Sequence, residues 1–274
     1  MLDSLAGWSQ PERDAAYDNS AAVSDSSAQL AAYQRRSDLL ASRAGGQLDI
    51  VYGQADRLRF DFFPAQPTAP TLLFIHGGYW QMRHKNTFRF VVEGALQHGI
   101  NAALIGYTLA PQASLTRIDG EVRQGIAAVR AHAQQQGARG EILLSGWSAG
   151  GHLAAMAMDC PGVIAGLGIS GIYDLRPLAL TRLNGALQLS ASEIDLLSPL
   201  RRAADAKPFV TAYGTAELPQ LQAQSRRFSQ YRAGLPGASV AVEGADHFSI
   251  LEQLARQDGV LLRHILSAAA ASGR

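Results

Sequence analysis

At 274 residues, 47% hydrophobic and 17% charged, the chain is long enough to bury a sizeable core as one large α/β domain or two small ones. Twenty-four basic residues against twenty-three acidic leave a net charge of +1, which gives no electrostatic argument for nucleic acid or an anionic membrane. A single cysteine, Cys160, excludes an internal disulfide and fits a reducing compartment. Met1-Leu2-Asp3-Ser4 has no basic start leading into an apolar core, so no secretory leader is expected. No apolar run approaches the roughly eighteen residues of a membrane span. A soluble, cytoplasmic protein is the expectation.

Residues 1–45 are rich in Ala and Ser and poor in β-branched residues. Leu30, Tyr33 and Leu40, with Ala41 and Ala44, form an apolar stripe that predicts a helix over 26–44, stopped by Gly45-Gly46. The stripe favours a helical arm able to cap the main domain over a partly disordered leader. The chain divides on this reading into an arm at 1–45 and a main domain at 46–274.

From residue 47 the pattern turns to strands. Segments 48–52 and 58–63 flank a polar turn, and Arg57-Leu58-Arg59-Phe60-Asp61-Phe62 alternates with period two, as an antiparallel hairpin with one wet face would. An apolar strand at 71–75 then runs into His76-Gly77-Gly78-Tyr79-Trp80. Helix is expected at 86–98, 118–136, 218–231 and 250–269, and strand at 100–107, 142–144, 163–169, 209–213 and 238–242. An irregular excursion occupies 170–207. Strands separated by helical crossovers imply an α/β fold, a mostly parallel sheet with helices on both faces and an antiparallel hairpin at its edge.

The chemistry centres on Gly146-Trp147-Ser148-Ala149-Gly150. An apolar strand precedes it and a helix follows, the context that makes a nucleophile elbow of this pattern. The serine must sit on a sharp turn, and a side chain at either glycine would crowd a neighbouring element. A serine hydroxyl is a poor nucleophile until a base takes its proton, and the base needs a third group to hold it. In a parallel-sheet enzyme these partners come from the carboxyl ends of later strands. His247, just past the last strand, is the histidine in the right place for the base. Glu217, after the preceding strand, is favoured by position as the acid; Asp174 and Asp246 are its rivals, with Asp174 read as a turn or cap residue. The order serine, acid, histidine is the one found on this architecture.

Two bare glycines after His76 let the N–H groups of Gly77 and Gly78 approach a substrate oxygen, and the Ala149 N–H follows the nucleophile. Together they form a candidate oxyanion hole. His76 is read as structural, holding the glycine turn from beneath. Arg83-His84-Lys85 is read as a surface helix start, with binding of a substrate carboxylate as the alternative. No nucleotide loop or zinc spacing points to other chemistry.

His76-Gly77-Gly78-Tyr79-Trp80, Gly106-Tyr107-Thr108-Leu109-Ala110-Pro111 and Gly146-Trp147-Ser148-Ala149-Gly150-Gly151-His152 resemble the α/β-hydrolase superfamily in its hormone-sensitive-lipase-like branch. Tyr79-Trp80 in place of a third glycine, the run Ser170 to Leu178, Ser198-Pro199 and Asp246-His247-Phe248 resemble the kynurenine formamidase (arylformamidase) group and its bacterial esterase relatives. The resemblance runs from about residue 47 to the end, and the arm matches more loosely. It implies a serine hydrolase without a cofactor or metal, acting on a small amide or ester, with N-formylkynurenine as type substrate. The runner-up is a short-acyl carboxylesterase; a non-catalytic binding protein and an acyltransferase are the further alternatives. Tyr79, Trp80 and Trp147 would then wall an aromatic substrate pocket. The acid in this group is commonly aspartate, whereas here it would be Glu217. The sequence leaves the oligomeric state open, a homodimer included.

Overall fold

The computed structural model describes residues 5–43 and 45–272, so Ala44 of the expected stripe lies outside the described residues. Eight strands form one sheet: β1 (Gln47–Val51), β2 (Arg59–Phe63), β3 (Thr71–Ile75), β4 (Asn101–Ile105), β5 (Ile142–Trp147), β6 (Val163–Ile169), β7 (Phe209–Gly214) and β8 (Gly237–Val242). Their spatial order is β1-β2-β4-β3-β5-β6-β7-β8. β2 pairs antiparallel with both β1 and β4, and every other pairing is parallel.

The strand residues sort onto two faces with period two. Leu73, Ile75, Ile142 and Leu144 belong to one core, with Ile126 and Val129 of the helix Leu115–Gln135, Leu153 of Ala149–Met156 and Phe228 of Pro219–Tyr231. Leu72, Phe74 and Leu143 belong to the other, with Tyr33 of the helix Ser26–Arg43 and Leu261, Leu262 and Ile265 of Val260–Ser272. Strands covered on both sides need no polar face, which is why β3 and β5 are buried throughout.

Several elements differ from expectation. The helix expected at 86–98 is a 3-10 helix, Lys85–Val92, leading into a short α-helix, Glu93–Gln97. The terminal helix is broken, with Ser249–Leu251 and Glu252–Ala255 preceding Val260–Ser272. At the break a Cβ on Gly259 would lie 2.2 Å from the Gln253 carbonyl oxygen, and the Gln253 side chain accepts from the Val260 N–H that opens the last helix. The arm has two parts. The helix Ser26–Arg43 packs on the sheet side, where Tyr33 stacks on Phe90 at 4.2 Å and Arg36 pairs with Glu93 and Glu252. The short helices Gln10–Ala15 and Asn19–Ala22 lie against the 170–207 excursion and the turn after β3, with Ser26 Oγ bonding back to the Ser20 carbonyl where the two parts join.

The hairpin has no wet face on β2, because β2 is an inner strand and Asp61 is fully buried. Asp61 accepts from Lys85 Nζ at 2.5 Å, from Arg89 Nε at 2.7 Å and from the Asp49 N–H at 2.8 Å. Asp49, at φ 55° where the β1–β2 register slips, also receives Lys85 at 2.7 Å. Lys85 is therefore not part of a surface helix start, since it is buried among carboxylates. Asp61→Ala would take from buried Arg89 its carboxylate and leave buried Lys85 with Asp49 alone, and breaking such a buried pair costs about 3–5 kcal/mol. The expected result is a fall in Tm of about 10 °C by calorimetry.

Candidate active site

β5 delivers Ser148 at the head of the helix Ala149–Met156, with φ 57° and ψ −118°. A Cβ on Gly146 would lie 2.1 Å from the Gly150 oxygen, and one on Gly150 2.0 Å from the Ile75 oxygen. The strand, the helix and β3 thus approach so closely that only glycine fits on either side of the serine. The Ser148 N–H is anchored to the Ile169 carbonyl at 2.8 Å, tying the turn to β6.

The Gly77 turn sits directly on this elbow: a Cβ there would meet the Trp147 carbonyl oxygen at 2.7 Å and Ser148 Cβ at 2.9 Å. Gly78 lies at φ 112°, and Tyr79 and Trp80 follow with φ of 50° and 57°. Among the described residues the Gly77 and Gly78 N–H groups donate to no protein acceptor. The Ala149 N–H, at the first helical position, is one of those a helix leaves without an internal partner. Three amide donors are thus unspent around the serine. Beneath them, His76 Nδ1–H donates to the Gly77 carbonyl at 2.8 Å while its ring stacks on Tyr107 at 4.3 Å. Burial pushes the His76 pKa down to about 3, so it remains a neutral prop at ordinary pH.

His247 lies past β8, its ring centroid 4.9 Å from that of Trp147 and its carbonyl accepting from the Trp147 indole N–H at 2.7 Å. Its Nδ1 is 3.4 Å from Glu217 Oε2, a loose contact of the kind that tightens when substrate binds. Among the described residues no hydrogen bond joins the imidazole to Ser148 Oγ. Glu217 is buried, its Oε1 accepting from Ser170 Oγ at 2.5 Å and from the Gly214 N–H at 2.7 Å. The two rival acids are otherwise engaged. Asp174 pairs with the Arg176 guanidinium and accepts the Arg176 N–H at 3.0 Å. Asp246 accepts the N–H groups of Phe248 and Ser249 at 2.7 and 2.8 Å.

The aromatic residues divide in role. Trp80 has no exposed surface and meets His152 edge-on at 5.0 Å, so in this structure it packs the turn and walls no open pocket. Trp147 braces the histidine loop. Tyr79 borders an open cleft of about 350 Å³. Three contributors were given no role from the sequence. Ser170, at φ 51° after β6, holds the Glu217 carboxylate; its signal is its place at the carboxyl end of the strand beside β7. Tyr17 and Asn19 reach the oxyanion turn from the arm, with no pattern in the sequence to announce it. Of the basic cluster, His84 Nδ1 accepts from the Asn86 N–H, and Arg83 is half-buried with its Cγ 2.7 Å from where a Gly78 Cβ would stand. No group of three or more His, Cys, Asp or Glu able to hold a metal ion occurs among the described residues. No helix among them is long and apolar enough to cross a membrane.

The chain is similar in sequence and fold to several known proteins. The BD-FAE family model matches residues 62–160. A kynurenine formamidase of Danio rerio is 29% identical over 238 residues, covering 80% of this chain and 80% of its own. Among solved structures, a protein assigned as a thioesterase from Silicibacter superposes with a TM-score of 0.86 at 27% identity, covering 93% of this chain and 99% of that one. The esterase LipW from Mycobacterium marinum superposes with a TM-score of 0.72 at 17% identity, covering 93% and 91%, a likeness of fold alone.

Proposed function

The chain is a hydrolase of the α/β-hydrolase superfamily, in its arylformamidase-like and esterase branch, and from that premise we propose that it deacylates small aryl formamides through an acyl-enzyme on Ser148. Ser148 Oγ attacks the carbonyl carbon as its proton passes to His247 Nε2. The negative charge gathering on the carbonyl oxygen is met by the N–H groups of Gly77 and Gly78, which donate to no acceptor among the described residues, and by that of Ala149 at the first position of its helix. Glu217 holds His247 by Nδ1 and offsets the charge of the imidazolium. Collapse breaks the C–N or C–O bond, the imidazolium protonates the departing amine or alcohol, and the acyl group remains as an ester of Ser148. Water, deprotonated by the same imidazole, then releases the acid.

The observation that carries this reading is His247 held between the Glu217 carboxylate and the Trp147 ring, beside the elbow. A small acyl group is supported by crowding: Ser148 is 2% exposed, His247 3% and Trp80 0%. N-formylkynurenine is the substrate that the named relatives suggest. Residues 5–22 serve as the cap over the site on this reading, with the body running from residue 26. Cytoplasmic residence is supported by the free, buried Cys160.

The test compares kcat/KM on N-formylkynurenine and on p-nitrophenyl acetate, with organophosphate labelling of the intact chain. We expect one adduct, on Ser148, abolishing both activities, and efficient formamide turnover. Ester turnover with none on the formamide would make the protein a short-acyl carboxylesterase. Inertness to substrates and label alike would leave a hydrolase-fold binding protein.

A further inference from the structure

His247 has to present Nε2 to the Ser148 hydroxyl, yet among the described residues its ring nitrogens have one polar contact, 3.4 Å from Nδ1 to Glu217 Oε2. Placement of the imidazole therefore falls on the loop that carries it. That loop is held at three consecutive residues. The Asp246 carboxylate takes the Phe248 and Ser249 N–H groups on Oδ1, at 2.7 and 2.8 Å. The His247 carbonyl takes the Trp147 indole N–H from β5. The Phe248 carbonyl takes the Leu251 N–H at 3.0 Å and, with its other lone pair, the Tyr33 hydroxyl at 3.1 Å.

Two of these three residues are also reached from the helix Ser26–Arg43. Tyr33 is 4% exposed, and stacking on Phe90 fixes where its hydroxyl points. The single hydroxyl proton has two acceptors in range, the Phe248 carbonyl and, farther off at 3.3 Å, Gln29 Oε1. Burial holds the Tyr33 pKa well above the usual phenol range, with the Glu252 and Asp246 charges adding to it, so the hydroxyl stays a donor. One turn earlier, Gln29 Nε2 donates to Asp25 Oδ1 at 3.0 Å and to Asp246 Oδ2 at 3.3 Å. The helix thus grips the residue before His247 and the residue after it. Neither side chain is hydrogen-bonded to the imidazole or to Ser148 among the described residues.

We infer that Tyr33, with Gln29 beside it, is a positioning residue of the reaction, holding the His247 loop where the imidazole can serve Ser148. The inference rests on the hydrolase reading above and adds a part of the arm to the machinery. Its physical basis is the steep dependence of rate on placement: moving a reacting group by about 1 Å costs about a hundredfold. A hydrogen bond between neutral groups shifts an equilibrium by roughly two- to tenfold. Losing one that separates the placed loop from a displaced one lowers the rate by that fraction, and substrate binding, which does not use His247, is spared.

The experiment uses the full chain and the variant Tyr33→Phe, which keeps the ring and its stacking on Phe90 and removes only the hydroxyl. Two rates are read: kcat on N-formylkynurenine or p-nitrophenyl acetate, and the rate of Ser148 labelling by diethyl p-nitrophenyl phosphate. Both should fall by about three- to tenfold, with KM within about twofold of wild type. Tyr33→Phe combined with Gln29→Leu should fall further. Ser37→Ala is the control for mere loosening of the helix. Ser37 is fully buried on the same helix, donating to the Thr87 carbonyl at 2.8 Å and accepting the Phe90 N–H at 3.1 Å, away from the histidine loop. It should lower Tm at least as much as Tyr33→Phe and leave both rates within about twofold. A Tyr33→Phe loss of less than threefold overturns the inference, as does a loss carried by KM. Equal slowing by Ser37→Ala also overturns it, since the helix then acts through packing alone. Labelling of wild type without formamide turnover removes only the formamidase reading, and the labelling rates still decide Tyr33. Wild type inert to label and substrates alike removes the hydrolase reading and this inference with it.

Discussion

Ser148→Ala should lower kcat by about a hundred thousandfold or more on whichever substrate is best, while the protein stays folded. The loss is large because the hydroxyl is the atom that bonds to carbon, and nothing nearby replaces it. Folding should be spared for three reasons. Alanine keeps the Ser148 Cβ, which lies so near Gly77 that a Cβ added to that glycine would stand 2.9 Å from it. The backbone at φ 57° costs the same with either side chain. Ser148 Oγ also makes no hydrogen bond to another described residue, so no buried partner is orphaned. The oxyanion donors remain, and a residual rate of about a thousandfold or more over water should persist. Activity within tenfold of wild type, with Tm unchanged, would remove Ser148 from the mechanism. Mass spectrometry should show the organophosphate adduct gone.

The elbow is legible in the sequence because its constraint is local. Gly146 is needed because a Cβ there would lie 2.1 Å from the Gly150 oxygen, a contact within one strand-turn-helix that the turn itself implies, whereas Gly150 is constrained by the Ile75 oxygen of β3. The buried strands are legible for a similar reason: a run such as Leu72-Leu73-Phe74-Ile75 can only be covered on both sides. What the residues do not announce is pairing across long stretches of chain. Asp61 and Lys85 read as solvated charges until β2 is placed between β1 and β4 and the 3-10 helix lays Lys85 on it. Asn19 and Tyr79 are sixty residues apart, and only the folded arm joins them. Composition marks the segment before residue 45 as different, but it cannot say that its first part meets the oxyanion turn while the helix Ser26–Arg43 packs on the 3-10 helix Lys85–Val92 and, through the Tyr33 hydroxyl, on the Phe248 carbonyl beside His247. Arg256 to Gly259 carries a stop signal in Gly259 that the long apolar stripe beyond it conceals.

Glu217→Gln should cost about ten thousandfold in kcat, by the tautomer it enforces. The carboxylate has two tasks in the folded chain. Oε1 accepts from Ser170 Oγ and the Gly214 N–H, while Oε2 faces His247 Nδ1. A glutamine of the same size can meet the first task only with its carbonyl oxygen, because the Gly214 N–H cannot accept. Its NH2 group is then turned toward His247 and requires Nδ1 to be the acceptor. The ring proton moves to Nε2, which faces the elbow with a hydrogen where a lone pair is needed, and the serine has no base. Stability should change little, since the buried donors keep their oxygen. Ser170→Ala should be milder, since the Gly214 N–H still holds the acid in place. The rivals give the contrary outcome its meaning. If Asp174 or Asp246 were the acid, Glu217→Gln would lose less than tenfold and Asp174→Asn or Asp246→Asn would carry the large effect. Asp174 is held by the Arg176 guanidinium and Asp246 by two backbone N–H groups, so freeing either would first break local structure. Glu217 has one carboxylate oxygen already turned to the imidazole, and that is why the burden of orienting His247 falls on it.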